Sequence, residues 1–269
     1  MLEGKCVNKI SEQLKNIKVV TQYDINTLID EFDTVKFGSY PQRDISGNIK
    51  DAIEWIVLEK QENKALLLSK YILDCKFYDD RLNDSEKEDK YIPWEECSLR
   101  NWLNEDFYNN AFNDDEKSKI LITSLANNKD DKVFILSLEE IKEYFGYIRT
   151  KEILKVLKID VNLEFSSEMI FGKNLWTKGT DYAKNADNNG YKLKVLDFEE
   201  HFKKAKKIFD SKDLEHLKLC DGNSNFLVRK KNPYYIDSVP ECFDIFTVNN
   251  GFYVNSGSTG VRPALWISY

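Results

Sequence analysis

With 269 residues, 42 % of them hydrophobic and 32 % charged, and only 11 Gly and 5 Pro, the chain has the composition of an ordinary globular protein. It is long enough to bury a core without disulfides. Its formal net charge of −7 repels a phosphate backbone and argues against nucleic acid as a partner, so the stripe Lys203, Lys204, Lys206 and Lys207 reads as a solvated helix face. No run reaches the roughly 18 to 20 apolar residues of a membrane span, and Met1–Ile10 lacks the basic-then-apolar layout of a signal peptide.

The chain as it stands is therefore expected to be soluble. Its compartment stays open: cell surface or secreted if an export signal lies upstream, cytoplasmic otherwise. Five cysteines, Cys6, Cys75, Cys97, Cys220 and Cys242, form no CxxC pair and are expected to be mostly buried, reduced thiols, with one or two disulfides as the alternative.

In chain order, residues 1–32 read as a helical lead-in, with Val7, Ile10, Leu14 and Ile17 at helical spacing. Strand patterns follow at Val35–Phe37, Ile53–Leu58 and Ala65–Leu68, the last two apolar on both faces and hence enclosed on both. Ser98 is placed to cap a helix over Leu99–Tyr108, whose Leu99, Trp102, Leu103 and Phe107 share one face. Asn113 with Glu116, and Ser137 with Glu140, are spaced as capping boxes, and Val133–Leu136 between them reads as a short strand.

Residues 147–222 read as a charged, mostly helical insert beside the sheet. Strands return at Phe226–Arg229 and Phe243–Val248, with Asn250-Gly251 suited to a tight hairpin turn, and Val261–Ile267 closes the pattern. The fold class expected is α+β: a mainly antiparallel sheet with flanking helices in one main domain over 33–269.

Five ordered motifs carry a family resemblance: Phe37-Gly38-Ser39-Tyr40-Pro41-Gln42, Ile53-Glu54-Trp55-Ile56-Val57-Leu58, the run Ala65–Asp74, Ser98-Leu99-Arg100-Asn101-Trp102-Leu103-Asn104, and Gly260-Val261-Arg262-Pro263-Ala264-Leu265-Trp266-Ile267. Together they resemble a bacterial family of domains of unknown function, over Val35 to Ile267. The closing Gly-Val-Arg-Pro segment is similar to C-type-lectin-like folds, among them formylglycine-generating enzymes and hypervariable binding proteins. That resemblance implies that Val35–Phe37 and Val261–Ile267 meet in one sheet. The chain departs from the family at Phe226–Lys231, where a Trp-rich Leu-Arg-Ser-Pro stretch is usual, and in the length of Tyr147–Asp221.

No nucleophile–base set is visible. His201 and His216 both lie in the charged insert, where a structural or exposed role is expected. Cys220 and Cys242 lack the flanking residues that formylglycine-generating chemistry implies. Asp74, Asp79, Asp80 and Asp84 are rich enough in oxygen to suggest Ca²⁺ but read as a solvated acidic loop, and Asn185–Gly190 imitates an EF-hand start without its closing Glu.

Arg100 and Arg262 sit inside apolar motifs, where a guanidinium must be hydrogen-bonded or paired. A structural role is expected for both, with Glu54 or Asp74 as a partner for Arg262 and recognition of an anionic ligand as the alternative, and Trp55, Trp102 and Trp266 are expected in the core. Arg229, Tyr234, Tyr235, Asp237 and Trp94 fall in turn-rich stretches suited to an exposed ligand patch. The reading favoured is a binding module without catalytic residues, metal or cofactor, taking a glycan, peptide or protein surface. A carboxylate- or metal-dependent hydrolase and a cytoplasmic structural or regulatory interaction protein stand as alternatives.

Overall fold

A computed structural model describes residues 33–81, 92–126, 129–145, 148–149, 168–169, 177–186, 190–193, 195, 224, 226–229, 238–239 and 259–269. The expected lead-in, the Asn250-Gly251 hairpin, both histidines, Cys6, Cys220 and Cys242, the lysine stripe, and Tyr234, Tyr235 and Asp237 lie outside these residues.

The first three strands run β1 (Thr34–Pro41), β2 (Lys50–Lys60) and β3 (Lys64–Ser69), joined antiparallel in a meander. The sheet continues through β13 (Ala264–Ser268) to β5 (Ile120–Leu121), giving the order β1-β2-β3-β13-β5. A second sheet has the order β11-β10-β12-β4, from β4 (Asp74–Cys75), β10 (Phe226–Leu227), β11 (Ser238–Val239) and β12 (Gly260–Val261). Two-stranded pairs are formed by β6 (Thr123–Ala126) with β7 (Lys129–Asp131) and by β8 (Ile148–Arg149) with β9 (Glu168–Met169). With its short helices this is an α+β architecture, and no described helix is long and apolar enough to cross a membrane.

The alternation visible in sequence explains the sheet's place in the core. Residues Ala65, Leu66, Leu67, Leu68 and Ser69 of β3 are all buried, as a run apolar on both faces requires. β1 holds a bulge: the register with β2 shifts by one residue between Lys36 and Ser39, and Gly38 lies there at φ 69°. The bulge turns the Phe37 carbonyl toward the indole Nε1 of Trp55, which donates to it at 2.6 Å. A Cβ on Gly38 would stand 2.5 Å from the Phe112 ring and 2.9 Å from the Ala111 carbonyl oxygen. Gly38→Ala is therefore expected to cost about 2 to 3 kcal/mol, from left-handed strain and overpacking together, seen as a lower urea midpoint; an unchanged midpoint would contradict this account of the bulge.

The helical run after β4 is continuous but irregular: α1 (Ser98–Trp102), a π-helical turn (Leu103–Phe107) and α2 (Tyr108–Ala111). Its N-cap is Cys97, not Ser98, for the Cys97 Sγ accepts from the Arg100 N–H at 3.4 Å, while the Ser98 hydroxyl receives the Asp80 N–H. α3 (Asp114–Lys117) has the capping box expected of Asn113 and Glu116, and Glu116 also accepts from Gly38 N–H at 3.1 Å. The Ser137–Glu140 box opens α4 (Leu138–Phe145).

Two sequence expectations are corrected here. Val133–Leu136 is not a strand: its residues are buried, but only Phe134 bridges Ala264, and the Asn104 amide grips the backbone of Lys132 and Val133 at its start. Val261–Ile267 is not one strand either. It crosses from the second sheet (β12) to the first (β13) at Arg262-Pro263, so β1 and β13 share a sheet while Val261 belongs to the other. Proline, which offers no N–H to a ladder, suits that break.

The insert is also less peripheral than its charge suggests. Within it, Lys178 accepts from the Ile72 N–H and Thr180 donates to the Ile72 carbonyl, docking the start of α5 (Asp181–Asn185) against the β3–β4 link.

Candidate functional site

The charged residues of the sequence motifs are engaged within the fold, Arg262 with backbone and Arg100, Glu54 and Asp74 with other side chains. Arg262 is 1 % exposed, and its Nε donates to the Ser69 carbonyl at 2.7 Å while the guanidinium lies 5.0 Å from the Phe226 ring centroid. Of the carboxylates weighed as its partners, Glu54 binds Lys70 at 2.9 Å, and Asp74 binds Tyr40 and Lys76. Backbone carbonyls receive the arginine here, because the sheet crossing brings the end of β3 beneath it.

Arg100 pairs with Asp131 at 2.6 Å, and the same carboxylate accepts the Trp94 indole N–H at 2.8 Å and the Asn104 amide at 3.2 Å. This group anchors the helical run to β7. Trp94, expected on an exposed patch, is thus 3 % exposed and hydrogen-bonded within the core. Arg229, expected beside it as a ligand contact, pairs with Glu140 at 2.7 Å and donates to the Ile135 carbonyl. Turn-rich sequence around both residues conceals partners that lie far along the chain.

Trp55 is fully enclosed and stacks at 6.3 Å from Phe112. Trp102 and Trp266 are only partly buried against the core, each with a lysine over its ring: Lys76 at 5.2 Å and Lys64 at 4.5 Å. β13 has the burial alternation of a strand with one wetter face, and Trp266 falls on that face.

Of the acidic group read as a solvated loop, Asp80 is exposed as expected and Asp84 lies outside the described residues, whereas Asp74 and Asp79 are buried. Asp79 is fully buried and held by Arg81, whose Nε donates to it at 2.9 Å. Asp74 is 1 % exposed. Its Oδ2 accepts the Tyr40 hydroxyl at 2.6 Å, its Oδ1 accepts the Cys75 N–H at 2.7 Å, and the Lys76 Nζ stands 3.8 Å from Oδ1.

Around this carboxyl the aromatic rings are contiguous: Trp102 against Phe107 at 5.6 Å, Phe107 against Tyr40 at 5.0 Å, and Tyr182 edge-on to Tyr40 at 5.8 Å. Trp102 and Tyr182 are partly buried, so their outer surfaces meet solvent beside an enclosed carboxyl. Sequence reasoning missed this grouping, although Tyr40 and Asp74 both lie within the motifs already singled out.

Residues 62–269 match the family described as domain of unknown function DUF6273. The chain belongs to this family. No curated protein and no solved structure matches it. The DUF6273 match begins after β2, yet β1 and β2 are the first two strands of the same five-stranded sheet, and β2 contributes Trp55 to the core.

Electrostatically, burial raises the Asp74 carboxyl above its ordinary value, opposed by Lys76, the Tyr40 hydroxyl and the Cys75 N–H. Burial and Asp74 together hold the Tyr40 phenol far above its own. Burial pushes the Cys75 and Cys97 thiols up to about 12, which keeps them protonated and poor nucleophiles at neutral pH. Among the described residues, no group of three or more His, Cys, Asp or Glu side chains is gathered to hold a metal ion.

A raised folded-state value means that native Asp74 binds its proton more tightly than the unfolded chain does. Its stabilising contribution is therefore complete below the unfolded carboxyl value and is lost as pH rises through the folded one. The stability of the native protein relative to Asp74→Asn should accordingly fall as pH is raised from about 4. Urea midpoints of both proteins across that range check this, and a native protein that gains stability relative to Asp74→Asn as pH rises would reverse the assignment.

Proposed function

We propose that this DUF6273 domain is a non-catalytic binding module, with Asp74, Tyr40, Lys76, Trp102 and Tyr182 as its ligand seat. The observation that carries the reading is the Asp74 carboxyl, buried at the foot of a run of aromatic side chains whose outer members meet solvent. Rigid aromatic surface with polar tips at its edge is the composition by which sites for sugars and peptides combine contact area with orientation. The motif arginines Arg100 and Arg262, and Arg229 with them, are engaged in holding the fold, which leaves the aromatic surface as the candidate seat. A C-type-lectin-like arrangement is part of the proposal: β1 and β13 share a sheet although they stand at opposite ends of the described chain, and ligand loops in such an arrangement would lie beyond the shared strands.

The test is a mixed glycan and peptide array probed with the whole chain and with Trp102→Ala and Tyr182→Ala. Binding that both substitutions abolish, with the urea midpoint near that of the native protein, is the expected result. A ligand retained equally by both variants would move the seat elsewhere. The burial of the Asp74 carboxyl beside this aromatic surface favours one runner-up, a hydrolase that uses it in acid–base chemistry; turnover of an arrayed glycan or peptide, lost in Asp74→Asn, would replace the binding reading with that one.

A further inference from the structure

Lys76 occupies an unusual position within this seat. Its Nζ lies 5.2 Å from the Trp102 ring centroid and 3.8 Å from Asp74 Oδ1. Other described lysines also cover aromatic rings, Lys64 over Trp266, Lys70 over Tyr71, and Lys117 and Lys132 over Tyr108. Of these lysines, Lys76 is the one paired with a carboxylate that is 1 % exposed; the Glu54 partner of Lys70 is 31 % exposed.

An aromatic face and a desolvated carboxylate converging on one point attract a positive charge by two separate routes, the ring quadrupole and direct Coulomb attraction in a poorly screened environment. Yet the separation of 3.8 Å is well beyond the roughly 2.7 to 2.9 Å of a tight charge-assisted hydrogen bond. Tyr40 and the Cys75 N–H already take the close positions on this carboxyl. Lys76, with a side chain 35 % exposed, thus fills the position electrostatically without being locked into it.

We infer that Asp74 and Trp102 form a seat for an organic cation, a primary ammonium on a slim apolar stem, and that Lys76 is its displaceable internal occupant. The inference rests on the binding reading above and names its ligand class. The same chemistry is carried by a lysine side chain of a partner peptide and by a free polyamine. Lys76 swings toward solvent as the incoming ammonium replaces it, so the native protein binds weakly and a protein lacking the Lys76 ammonium binds more tightly.

The experiment titrates the full chain, as native protein and as Lys76→Ala, with n-butylammonium and follows the Trp102 indole N–H resonance, identified by its loss in Trp102→Phe. The neutral n-butanol serves as a size-matched control. Lys76→Ala should bind the ammonium at least about tenfold more tightly than native protein, a difference of about 1.4 kcal/mol, with native protein still responding and the alcohol leaving the resonance unmoved. Asp74→Asn should abolish the response; if that variant does not fold, the comparison of charged with neutral probe in Lys76→Ala decides alone.

A response confined to Lys76→Ala, with none in native protein, would mean that the ammonium merely fills a truncated side chain's place, and would overturn the inference. Equal shifts with alcohol and ammonium would overturn it too. N-acetyl-lysine methylamide and spermidine, titrated in parallel, separate a peptide from a polyamine source by which binds more tightly. An arrayed ligand whose binding depends on Trp102 but is not competed by n-butylammonium would leave the binding reading standing and remove the cation. Competition by n-butylammonium supports both.

Discussion

Trp55→Ala is expected to lower the free energy of unfolding by about 3 to 5 kcal/mol, the range for emptying an enclosed aromatic site. Trp55 is fully buried, stacked near Phe112, and its indole N–H satisfies the carbonyl that the β1 bulge presents. Two losses therefore combine: the packing of the largest side chain in the core, and a buried carbonyl left without its donor. Trp55→Phe separates them, because it keeps most of the ring and forfeits the hydrogen bond, at a cost of about 1 to 3 kcal/mol. Urea unfolding with an unchanged slope measures both. Trp102→Ala and Trp266→Ala should fall below Trp55→Ala, since both side chains are only partly buried; equal midpoints for all three would contradict the ranking.

Arg262→Ala should destabilise by about 1 to 3 kcal/mol through the buried Ser69 carbonyl left without its donor, with a further loss from the space the side chain empties. The guanidinium is 1 % exposed, donates to the Ser69 carbonyl, and lies between the rings of Phe226 at 5.0 Å and Phe145 at 6.0 Å. Burial draws its pKa below the ordinary arginine value, so the fold bears a desolvation cost that its contacts must offset. Arg262→Lys should recover only part of the loss, because an ammonium reproduces neither the planar multi-donor fork nor its stacking on aromatic faces. Equilibrium unfolding of the three proteins is the measurement. An Arg262→Ala chain of native stability that had lost ligand binding would place this arginine at the ligand instead.

Elements governed by neighbours in sequence were legible before the coordinates. The three-strand meander follows from alternation and from the doubly apolar run at Ala65–Leu68, and both capping boxes follow from a side chain and its partner three residues apart. What sequence could not convey depends on residues far apart. Trp94 looked exposed because its stretch is turn-rich, whereas its partner Asp131 lies 37 residues on. Asp74 looked solvated because acidic residues follow it, whereas the hydroxyl that encloses it comes from Tyr40, 34 residues earlier. The crossing at Arg262-Pro263 carried only one local sign, the proline, and its true cause is the meeting of two sheets. The candidate seat was missed for the same reason: its carboxyl, its phenols and its indole come from four separate elements.

The strand crossing has a consequence for how the protein reaches its native state. Residues 260–268 supply an inner strand to each of the two larger sheets, β12 between β10 and β4, and β13 between β3 and β5. Arg262, at the crossing, meets Ser69 across 193 residues of chain. Neither sheet can close until this segment has left the ribosome, and until then β3 and β4 present open edges to any other strand. Folding dominated by such distant contacts is slow and exposed to aggregation. A chain shortened to end before Gly260 should therefore collect in the insoluble fraction during expression, and supplying residues 260–269 as a separate peptide would be a direct way to restore the missing strands.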